Sequence, residues 1–217
     1  VVDNFAYYGK TKKIEEYNPE TKENEWVDMK VQVGASLIEN STGKVISFVG
    51  GRDFKNDDKS GEWNFATRAL RSNGSTMKPL LVYAPGIELG VLAPGSLVID
   101  GPIKIGSYTP GNFSKSYKGL TTARKALISS DNTPAVKFYM DIINQEPWKF
   151  LEKMGITSID PKRHYGSPSL ALGTMEVTVE ENTNAYVTFA NGGNFVDAYI
   201  IEKIETKDGE IIYQHEV

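Results

Sequence analysis

Two short motifs in this chain contain side chains that could transfer an acyl group without a histidine. The first is Ser75-Thr76-Met77-Lys78, which begins an apolar stretch with helical spacing. One helical turn separates Ser75 from Lys78, so the lysine amine could accept the hydroxyl proton and make Ser75 a nucleophile. The second motif, Ser130-Asp131-Asn132, lies between two predicted helices, where side chains can project into a cleft.

The residues around Ser75 predict a helix that begins at this serine. Gly74 precedes Ser75, which is itself a good N-cap, and Pro79 is tolerated only in a first helical turn. Pro85-Gly86 then predicts a kink or a break. For Lys78 to act as a base, burial beside Ser75 and a second cationic group would have to lower its pKa.

A second match to Ser-x-x-Lys, Ser41-Thr42-Gly43-Lys44, is a decoy. It lies between the alternating apolar runs 31–38 and 45–49, where 40–43 predicts a hairpin turn. A serine in a turn has no helix to position a lysine beside it and no enclosing pocket to exclude water.

Other kinds of catalytic centre lack the residues they need. Cysteine is absent, which excludes disulfides, thiolate zinc sites and a cysteine nucleophile. The two histidines, His164 and His215, are far apart, have no metal-ligand spacing and are predicted to lie on the surface. A Ser-His-Asp triad is therefore not expected. Lys78 remains the candidate base, and we predict neither a metal nor an organic cofactor.

The stretches 73–80 and 126–135 resemble the first two active-site motifs of penicillin-binding proteins. Further similarity lies in 45–51, 172–178, 184–186 and 189–193, which are typical of the class A, bifunctional members. The resemblance runs from about Val31 to the end of the chain. It implies an α+β fold of the penicillin-binding protein and β-lactamase type. In that fold a helical lobe packs against an antiparallel sheet, with the serine at their junction.

The resemblance also implies a reaction. Ser75 would attack the terminal D-alanyl-D-alanine bond of a peptidoglycan stem peptide, and an amine of a neighbouring stem peptide would then close a cross-link. Ser130 would relay the proton to the leaving nitrogen, and Asn132 would orient a substrate amide. Thr76 and Trp63 are further candidate substrate-binding residues, although packing against a loop is the simpler role for Trp63. β-Lactam antibiotics would acylate Ser75.

Two other functions stay open. A β-lactamase or a D-alanyl-D-alanine carboxypeptidase would pass the acyl group to water, and Glu180 and Asn184 imitate the Glu-x-x-x-Asn pattern of class A β-lactamases. The helix dipole favours glutamates in a first turn, so we expect structural roles for Glu180 and Glu181. The other alternative is a non-catalytic scaffold that binds peptidoglycan.

One departure from the family pattern concerns its third motif, Lys-Thr-Gly, which does not occur. The nearest string, Lys207-Asp208-Gly209, predicts a two-residue Asp-Gly hairpin turn. We therefore expect the chain to stop before the third motif. The remaining C-terminal part of the domain, as a continuation or as a second chain, would have to supply that motif and one oxyanion donor. This segment alone should be nearly inactive, and its incomplete sheet should have an exposed edge.

The pattern of elements predicts two regions. Residues 1–30 are polar, with a turn predicted at 18–21, and form a linker or a lead-in hairpin. Residues 31–217 form the N-terminal major part of the transpeptidase domain that the resemblance implies. Within it, 92–118 is predicted to be a long loop, rich in Gly, Pro and Ser.

Four helices are predicted after that loop. Thr121 is expected to cap the first, 123–128, and Asn132 or Thr133 is expected to cap the second, with Pro134 at its first position. Pro147 opens the third, which Gly155 ends, and the fourth spans 178–191.

Composition limits the cellular setting. The 217 residues, 40% hydrophobic with a net charge of −4, suffice for one folded core. No apolar run has membrane-spanning length and the start is not signal-like. The extracytoplasmic protein that the resemblance implies would be anchored to the cell membrane through a segment outside this chain. Class A similarity also implies an upstream glycosyltransferase domain. The mild acidity argues against a nucleic acid partner.

Overall fold

The first motif lies in a helical segment, 74–88, whose hydrogen-bonding pattern changes along its length. The computed structural model describes residues 11–18, 21–52 and 63–215. Gly74–Thr76 form a 3-10 turn, Lys78–Tyr83 form a π-helix and Ala84–Glu88 form the α-helix α1. π-helical turns are rare and often lie at functional sites.

One prediction for this segment is wrong, because Asn73, rather than Ser75, holds the N-cap position and Ser75 lies inside the 3-10 turn. Of the kink or break predicted at Pro85-Gly86, the break does not occur, since the segment continues to Glu88 after the change from π to α. Proline lacks an N–H donor, and Pro85 falls in the first turn of α1, where that donor is not needed.

The other α-helices of the described residues are α2 (Ala123–Ile128), α3 (Asn132–Ile142), α4 (Trp148–Lys153), α5 (Pro161–His164) and α6 (Val179–Ala190). The central one is α3, which packs against the π-helix, α2 and the 3-10 helix Pro168–Leu172. The core is formed by fully buried side chains of these elements, of α4 and of the residue before the π-helix, and it includes Met77, Leu80, Leu81, Val136, Tyr139, Ile142, Leu151 and Leu170. In the part of the chain that is described, no helix is both long enough and apolar enough to span a membrane.

The described strands form antiparallel pairs. They are β1 (Thr11–Asn18), β2 (Glu23–Lys30), β3 (Ala35–Ile38), β4 (Val45–Val49), β5 (Arg71–Ser72), β6 (Leu97–Asp100), β7 (Gly119–Thr122), β8 (Glu176–Val177), β9 (Lys203–Glu205) and β10 (Ile211–Gln214). The pairs are β1 with β2, β3 with β4, β5 with β8, β6 with β7, and β9 with β10. Because β3 packs on α6, the helical lobe lies against an antiparallel hairpin, as the α+β prediction requires.

The two misleading motif matches, Ser-x-x-Lys at 41–44 and Lys-x-Gly at 207–209, both lie in hairpin turns. The decoy lies in the β3–β4 turn, where Gly43 has φ +79° and the Lys44 amine pairs with Glu202 at 2.8 Å. The predicted two-residue turn at 207–209 is instead a three-residue loop between Thr206 and Glu210. The N–H of Thr206 donates to the Glu210 carbonyl at 2.8 Å, and Gly209 takes φ +86°. This loop length matches a type I turn followed by a glycine bulge.

Three further predictions need correction. The region 92–118 is not without regular structure, because its strand β6 pairs with β7. Thr122, rather than Thr121, caps α2 by accepting a hydrogen bond from the Lys125 N–H at 3.3 Å. Thr122 directly precedes the first helical residue, Ala123, whereas Thr121 lies one position too early to be the cap. Asp131 holds the N-cap position of α3, so Pro134 is the third helical residue and not the first. The predicted turn at 18–21 includes residues 19 and 20, which lie outside the described residues.

The hairpins β3–β4 and β9–β10 expose much apolar surface. Six of their side chains are between 43% and 65% exposed: Leu37, Ile46, Phe48, Ile204, Ile211 and Ile212. Contiguous exposed apolar surface commonly marks a contact with another element or chain. The described residues do not cover it.

Candidate active site

Lys78 is the centre of a cluster that the two motifs form. Its side chain is buried, with 0% exposure. Its Nζ donates to the Ser130 backbone oxygen at 2.6 Å, to Ser130 Oγ at 3.1 Å and to Asn132 Oδ1 at 2.8 Å. Three acceptors match the three donors of an ammonium group. The fold therefore brings the lysine of the first motif into contact with both ends of the second.

Ser75 lies one helical turn before Lys78 and is exposed. Among the described residues its hydroxyl has no hydrogen-bond partner, and Lys78 is bonded to the second motif instead. The expected Ser75–Lys78 hydrogen bond is thus not formed. Catalytic hydrogen bonds often tighten only when a substrate is bound, and an exposed, unbonded hydroxyl remains accessible for attack.

The environment of Lys78 favours a neutral amine more than water does. Burial lowers the pKa of Lys78 from 10.5 to about 8, while the negative charge of Asp131 acts in the opposite direction. The expected second cation is therefore not the cause, and burial accounts for the shift. A base with a pKa near 8 is partly deprotonated at neutral pH.

Asp131 is the charged neighbour of this cluster. Its carboxylate is buried, and its two oxygens lie 2.8 and 3.0 Å from Nζ of Lys118. Pairing with Lys118 offsets the cost of burying this charge. Lys118 was not recognised in the sequence, where it appeared as one more polar residue at the end of a loop.

Ser130 adopts a backbone conformation that is unusual for a serine, with φ +55°. It ends α2 in a Schellman motif, in which the Ser130 N–H bonds to the Leu127 carbonyl and the Asp131 N–H to the Ala126 carbonyl, both at 2.9 Å. Glycine is the usual residue at this left-handed position. The strain places the Ser130 hydroxyl and carbonyl next to Lys78.

This strain predicts that the serine at position 130 makes the protein less stable than a glycine would. Both Ser130→Ala and Ser130→Gly remove the hydroxyl, but only glycine adopts a positive φ without a steric penalty. We expect Ser130→Gly to be more stable than Ser130→Ala by about 1 kcal/mol. Urea unfolding of the two variants measures the difference. Equal stabilities would show that the left-handed conformation costs nothing here.

Asn132 links Lys78 to a neighbouring loop. Its Oδ1 accepts from Lys78, and its Nδ2 donates to the Gly111 carbonyl at 2.8 Å. One of the two amide hydrogens is thereby used within the protein, and the second remains for a substrate carbonyl. The side chain is only partly buried.

The turn that carries Ser75 is fastened to α6. The Tyr186 hydroxyl donates to the Thr76 carbonyl at 2.8 Å, and Asn182 Oδ1 accepts from Asn73 Nδ2 at 2.9 Å. Thr76 Oγ1 donates to the Asn73 carbonyl at 2.8 Å. The hydroxyl of Thr76, a predicted substrate-binding residue, is therefore used within the turn itself. Sequence reasoning missed Asn182 and Tyr186, although their i, i+4 spacing on a predicted helix places them on one face.

The glutamates of α6 have structural surroundings. Glu181 forms a capping box with Thr178 and accepts from the Thr157 N–H at 2.9 Å. Glu180 borders a different cavity, of about 290 Å³, together with Glu181 and Asn184. Ser75 and Lys78 do not line that cavity. Burial raises the pKa of Glu180, with its neighbour Glu181 adding to the effect.

Two other groups lie apart from the cluster. Trp63 is 58% exposed, and none of the hydrogen bonds or ring contacts of the described residues joins it to either motif. The histidines are partly buried rather than on the surface, because each serves a local contact. Nδ1 of His164 accepts from the Asp160 N–H at 2.8 Å, and His215 stacks on Tyr199. Within the described ranges, no three acidic or imidazole side chains gather where a metal ion could be held.

This chain is similar to known proteins over most of its length. The model of the penicillin binding protein transpeptidase domain matches residues 33–216. Penicillin-binding protein 1A of Rickettsia conorii is 34% identical over 190 residues, which cover 84% of this chain and 23% of that protein. Penicillin-binding protein 1F of Bacillus subtilis is 35% identical, with 87% and 25% covered. The chain thus spans about a quarter of the length of these relatives.

Solved structures show the same fold. Penicillin-binding protein 1A of Haemophilus influenzae, at 28% identity, superposes with a TM-score of 0.72 over 93% of this chain and 29% of its own. PonA1 of Mycobacterium tuberculosis in complex with penicillin V, at 21% identity, gives 0.71 over 84% and 50%. The second match supports the fold alone. On the family match and these relatives, the chain belongs to the penicillin binding protein transpeptidase domain family.

Proposed function

We propose that this chain carries the nucleophile and base of a serine D,D-transpeptidase that cross-links peptidoglycan. The observation that carries the proposal is the buried Lys78 amine, held between Ser130 and Asn132 one turn after an exposed Ser75. In the other Ser-x-x-Lys match of the described residues, hydrogen bonding to Glu202 raises the pKa of Lys44, so that lysine is a poorer base.

The proposed reaction has two halves. In the first, Lys78 takes the proton of Ser75 Oγ, which attacks the carbonyl of a terminal D-alanyl-D-alanine bond. Ser130 passes a proton to the leaving nitrogen, D-alanine departs and an ester forms on Ser75. In the second, an amine of a neighbouring stem peptide attacks that ester, and the serine regains its proton. Asn132 orients the donor peptide through its free amide hydrogen. A β-lactam would enter the first half and remain as an ester on Ser75.

Transfer of the acyl group to water is less suitable as the second half of the reaction. A β-lactamase or a carboxypeptidase needs a group that activates water beside the ester. Glu180, which imitates the pattern for such a group, borders a separate cavity. Among the described residues, the cavity that Glu180 borders is lined by neither Ser75 nor Lys78, and this separation favours transfer to an amine.

The active unit that we propose is larger than this chain. The exposed apolar side chains of β3–β4 and β9–β10 offer a surface for further strands of the same domain, which would carry the Lys-Thr-Gly motif. Those strands would add an oxyanion donor to the Ser75 N–H, and one such donor is worth about 10²- to 10³-fold in rate. An upstream glycosyltransferase domain and a membrane anchor outside this chain would place the enzyme at peptidoglycan, outside the cytoplasm.

Covalent labelling tests the proposal. Intact-mass spectrometry of the full-length protein, before and after penicillin, should show one stable adduct, and peptide mapping should locate it at Ser75. Ser75→Ala should abolish the adduct, whereas Ser41→Ala, in the decoy motif, should leave it unchanged. Rapid turnover of penicillin without an adduct would favour a β-lactamase. Unchanged binding of a fluorescent penicillin by Ser75→Ala would favour a non-catalytic scaffold.

A further inference from the structure

The start of α3 takes its cap from a residue in a distant loop. Asp131 occupies the N-cap position, but its carboxylate makes no cap bond and is paired with Lys118 instead. Asn112, 20 residues before Asn132, replaces it. Asn112 Oδ1 accepts from the N–H of Asn132 at 2.8 Å and from the N–H of Thr133 at 3.2 Å.

Asn112 completes the hydrogen bonding of this helix terminus. The first N–H groups of a helix have no partner within it. Here the Asp131 N–H bonds to the Ala126 carbonyl at 2.9 Å, and Pro134 has no N–H to satisfy. The N–H groups of Asn132 and Thr133 remain, and a single side-chain oxygen accepts from both. Loss of that oxygen would free the start of α3 to shift.

Asp100 fixes which way the Asn112 amide faces. It is buried, and its Oδ1 accepts from Asn112 Nδ2 at 2.7 Å and from Thr133 Oγ1 at 2.7 Å. Its Oδ2 accepts from the Lys118 N–H at 2.8 Å. Burial alone would raise the pKa of Asp100, but these hydrogen bonds hold it below its usual value. An ionised acceptor attracts Nδ2, so the amide oxygen of Asn112 must face the helix.

The same loop also holds the side chain of Asn132. Asn132 Nδ2 donates to the carbonyl of Gly111, the residue before Asn112, and Asn132 Oδ1 accepts from Lys78 Nζ. Both the backbone and the side chain of Asn132 are therefore fastened to residues 111–112. Lys78 takes one of its three contacts from the side chain so held.

We propose that Asn112, oriented by Asp100, is a positioning residue for the acyl transfer, because it sets the place of Asn132 and thereby of the Lys78 amine. This inference rests on the proposed function of Ser75 and Lys78. Asn112 touches neither Ser75 nor Lys78 and acts through Asn132. The resemblance between motifs did not assign any role to Asn112 or Asp100.

Isosteric exchange tests the proposal in the full-length protein. In Asp100→Asn the side chain offers one acceptor and one donor group where the carboxylate offered two acceptors. Either orientation of the new amide therefore sets a donor against Asn112 Nδ2 or against the Lys118 N–H, which weakens the hold on the Asn112 amide. We expect the rate constant for acylation of Ser75 by a fluorescent penicillin to fall about 10- to 100-fold, as for a small misplacement of a catalytic group. Asn112→Ala should give a similar loss. The double variant Asp100→Asn/Asn112→Asp restores donor and acceptor in exchanged places and should recover part of the rate.

A matched control separates positioning from general loss of stability. Asp160→Ala removes the side-chain cap of α5, which bonds to the Lys162 N–H at 2.9 Å. It should lower the melting temperature but change the acylation rate less than about twofold. If Asp160→Ala slows acylation as much as Asp100→Asn does, or if the double variant recovers nothing, the positioning role is wrong. Asp100→Asn conserves volume, so it tests the proposal even if Asn112→Ala fails to fold.

Two more readouts respond to positioning itself. Asp131, paired with Lys118, is the charged group that acts on Lys78, and Ser130 and Asn132 supply neutral acceptors. Loss of the Asn132 acceptor should move the half-maximal pH of acylation downward in Asp100→Asn and leave it unchanged in Asp160→Ala. Hydrogen exchange of a peptide spanning 130–135 should accelerate in Asp100→Asn. Unaltered exchange would overturn the inference. If the native protein forms no adduct, the proposed function fails while the exchange experiment still decides whether Asn112 caps α3.

Discussion

Replacement of Lys78 by methionine is expected to slow acylation of Ser75 by a β-lactam about 10²- to 10⁴-fold while stabilising the folded protein. Methionine fills a similar volume without an amine, so the hydroxyl proton of Ser75 has no acceptor at this place. In the full-length protein, the adduct of the variant should form far more slowly than that of the native enzyme under the same conditions. Stopped-flow or gel-based labelling with a fluorescent penicillin measures the loss.

The gain in stability follows from the buried charge. Lys78 is fully buried, and its folded-state pKa of about 8 lies below its ordinary value of 10.5. The folded state therefore binds fewer protons than the unfolded state between these values. The cost of the charged amine is fully present below pH 8 and disappears as the pH rises to 10.5. Lys78→Met should be more stable by about 1–2 kcal/mol at pH 7, and this advantage should vanish near pH 10.5.

Lys44→Met is the matched control, because Lys44 ends the decoy motif. Its side chain is partly exposed and pairs with Glu202 at the surface. Such a pair is worth little, so its loss should change stability by less than about 1 kcal/mol and leave acylation unchanged. A Lys78→Met protein that is labelled at the native rate would show that another group takes the proton of Ser75.

The sequence predicted which residues form the cluster because each motif depends on a short spacing. Ser75 and Lys78 are three residues apart, one helical turn, and only Asp131 separates Ser130 from Asn132. The decoy could be rejected for the same reason, since alternating runs on both sides of Ser41 predict a hairpin. What joins the two motifs is a long-range contact between Lys78 and Ser130, and family resemblance indicated it where periodicity could not.

The parts that escaped prediction depend on tertiary contacts. An aspartate before a helix is a good cap by its residue type. Here the Asp131 carboxylate pairs with Lys118 instead, and Asn112 accepts the hydrogen bonds at the start of α3. Likewise, Leu97–Asp100 form a strand only because Gly119–Thr122 return beside them. Residue type alone predicted the wrong cap at Thr121, Ser75 and Asn132. The first residue of each helix depends on where the preceding strand or turn ends, and the sequence pattern defines that position only to within one or two residues.

The pH dependence of acylation provides the second large effect. If neutral Lys78 is the base, the rate should rise about tenfold per pH unit up to pH 8 and level off above it, because the pKa of Lys78 is about 8. The total rise between pH 6 and pH 8 should be roughly 50-fold. Labelling rates measured across this range, with the folded state monitored by circular dichroism, test the expectation. A rate that is flat from pH 6 to pH 9 would contradict a lysine base.

The charge of Asp131 influences the pH at which the acylation rate is half-maximal. Asp131 stabilises the ammonium form of Lys78, and Lys118 neutralises part of that charge from 2.8 Å. Lys118→Met should leave Asp131 uncompensated, raise the pKa of Lys78 and move the profile to higher pH, so the rate at pH 7 falls. Lys115→Met, in the same loop and without such a partner among the described residues, should leave the profile in place. A shift to lower pH in Lys118→Met would mean that Lys118 acts on Lys78 in some way other than through the carboxylate between them.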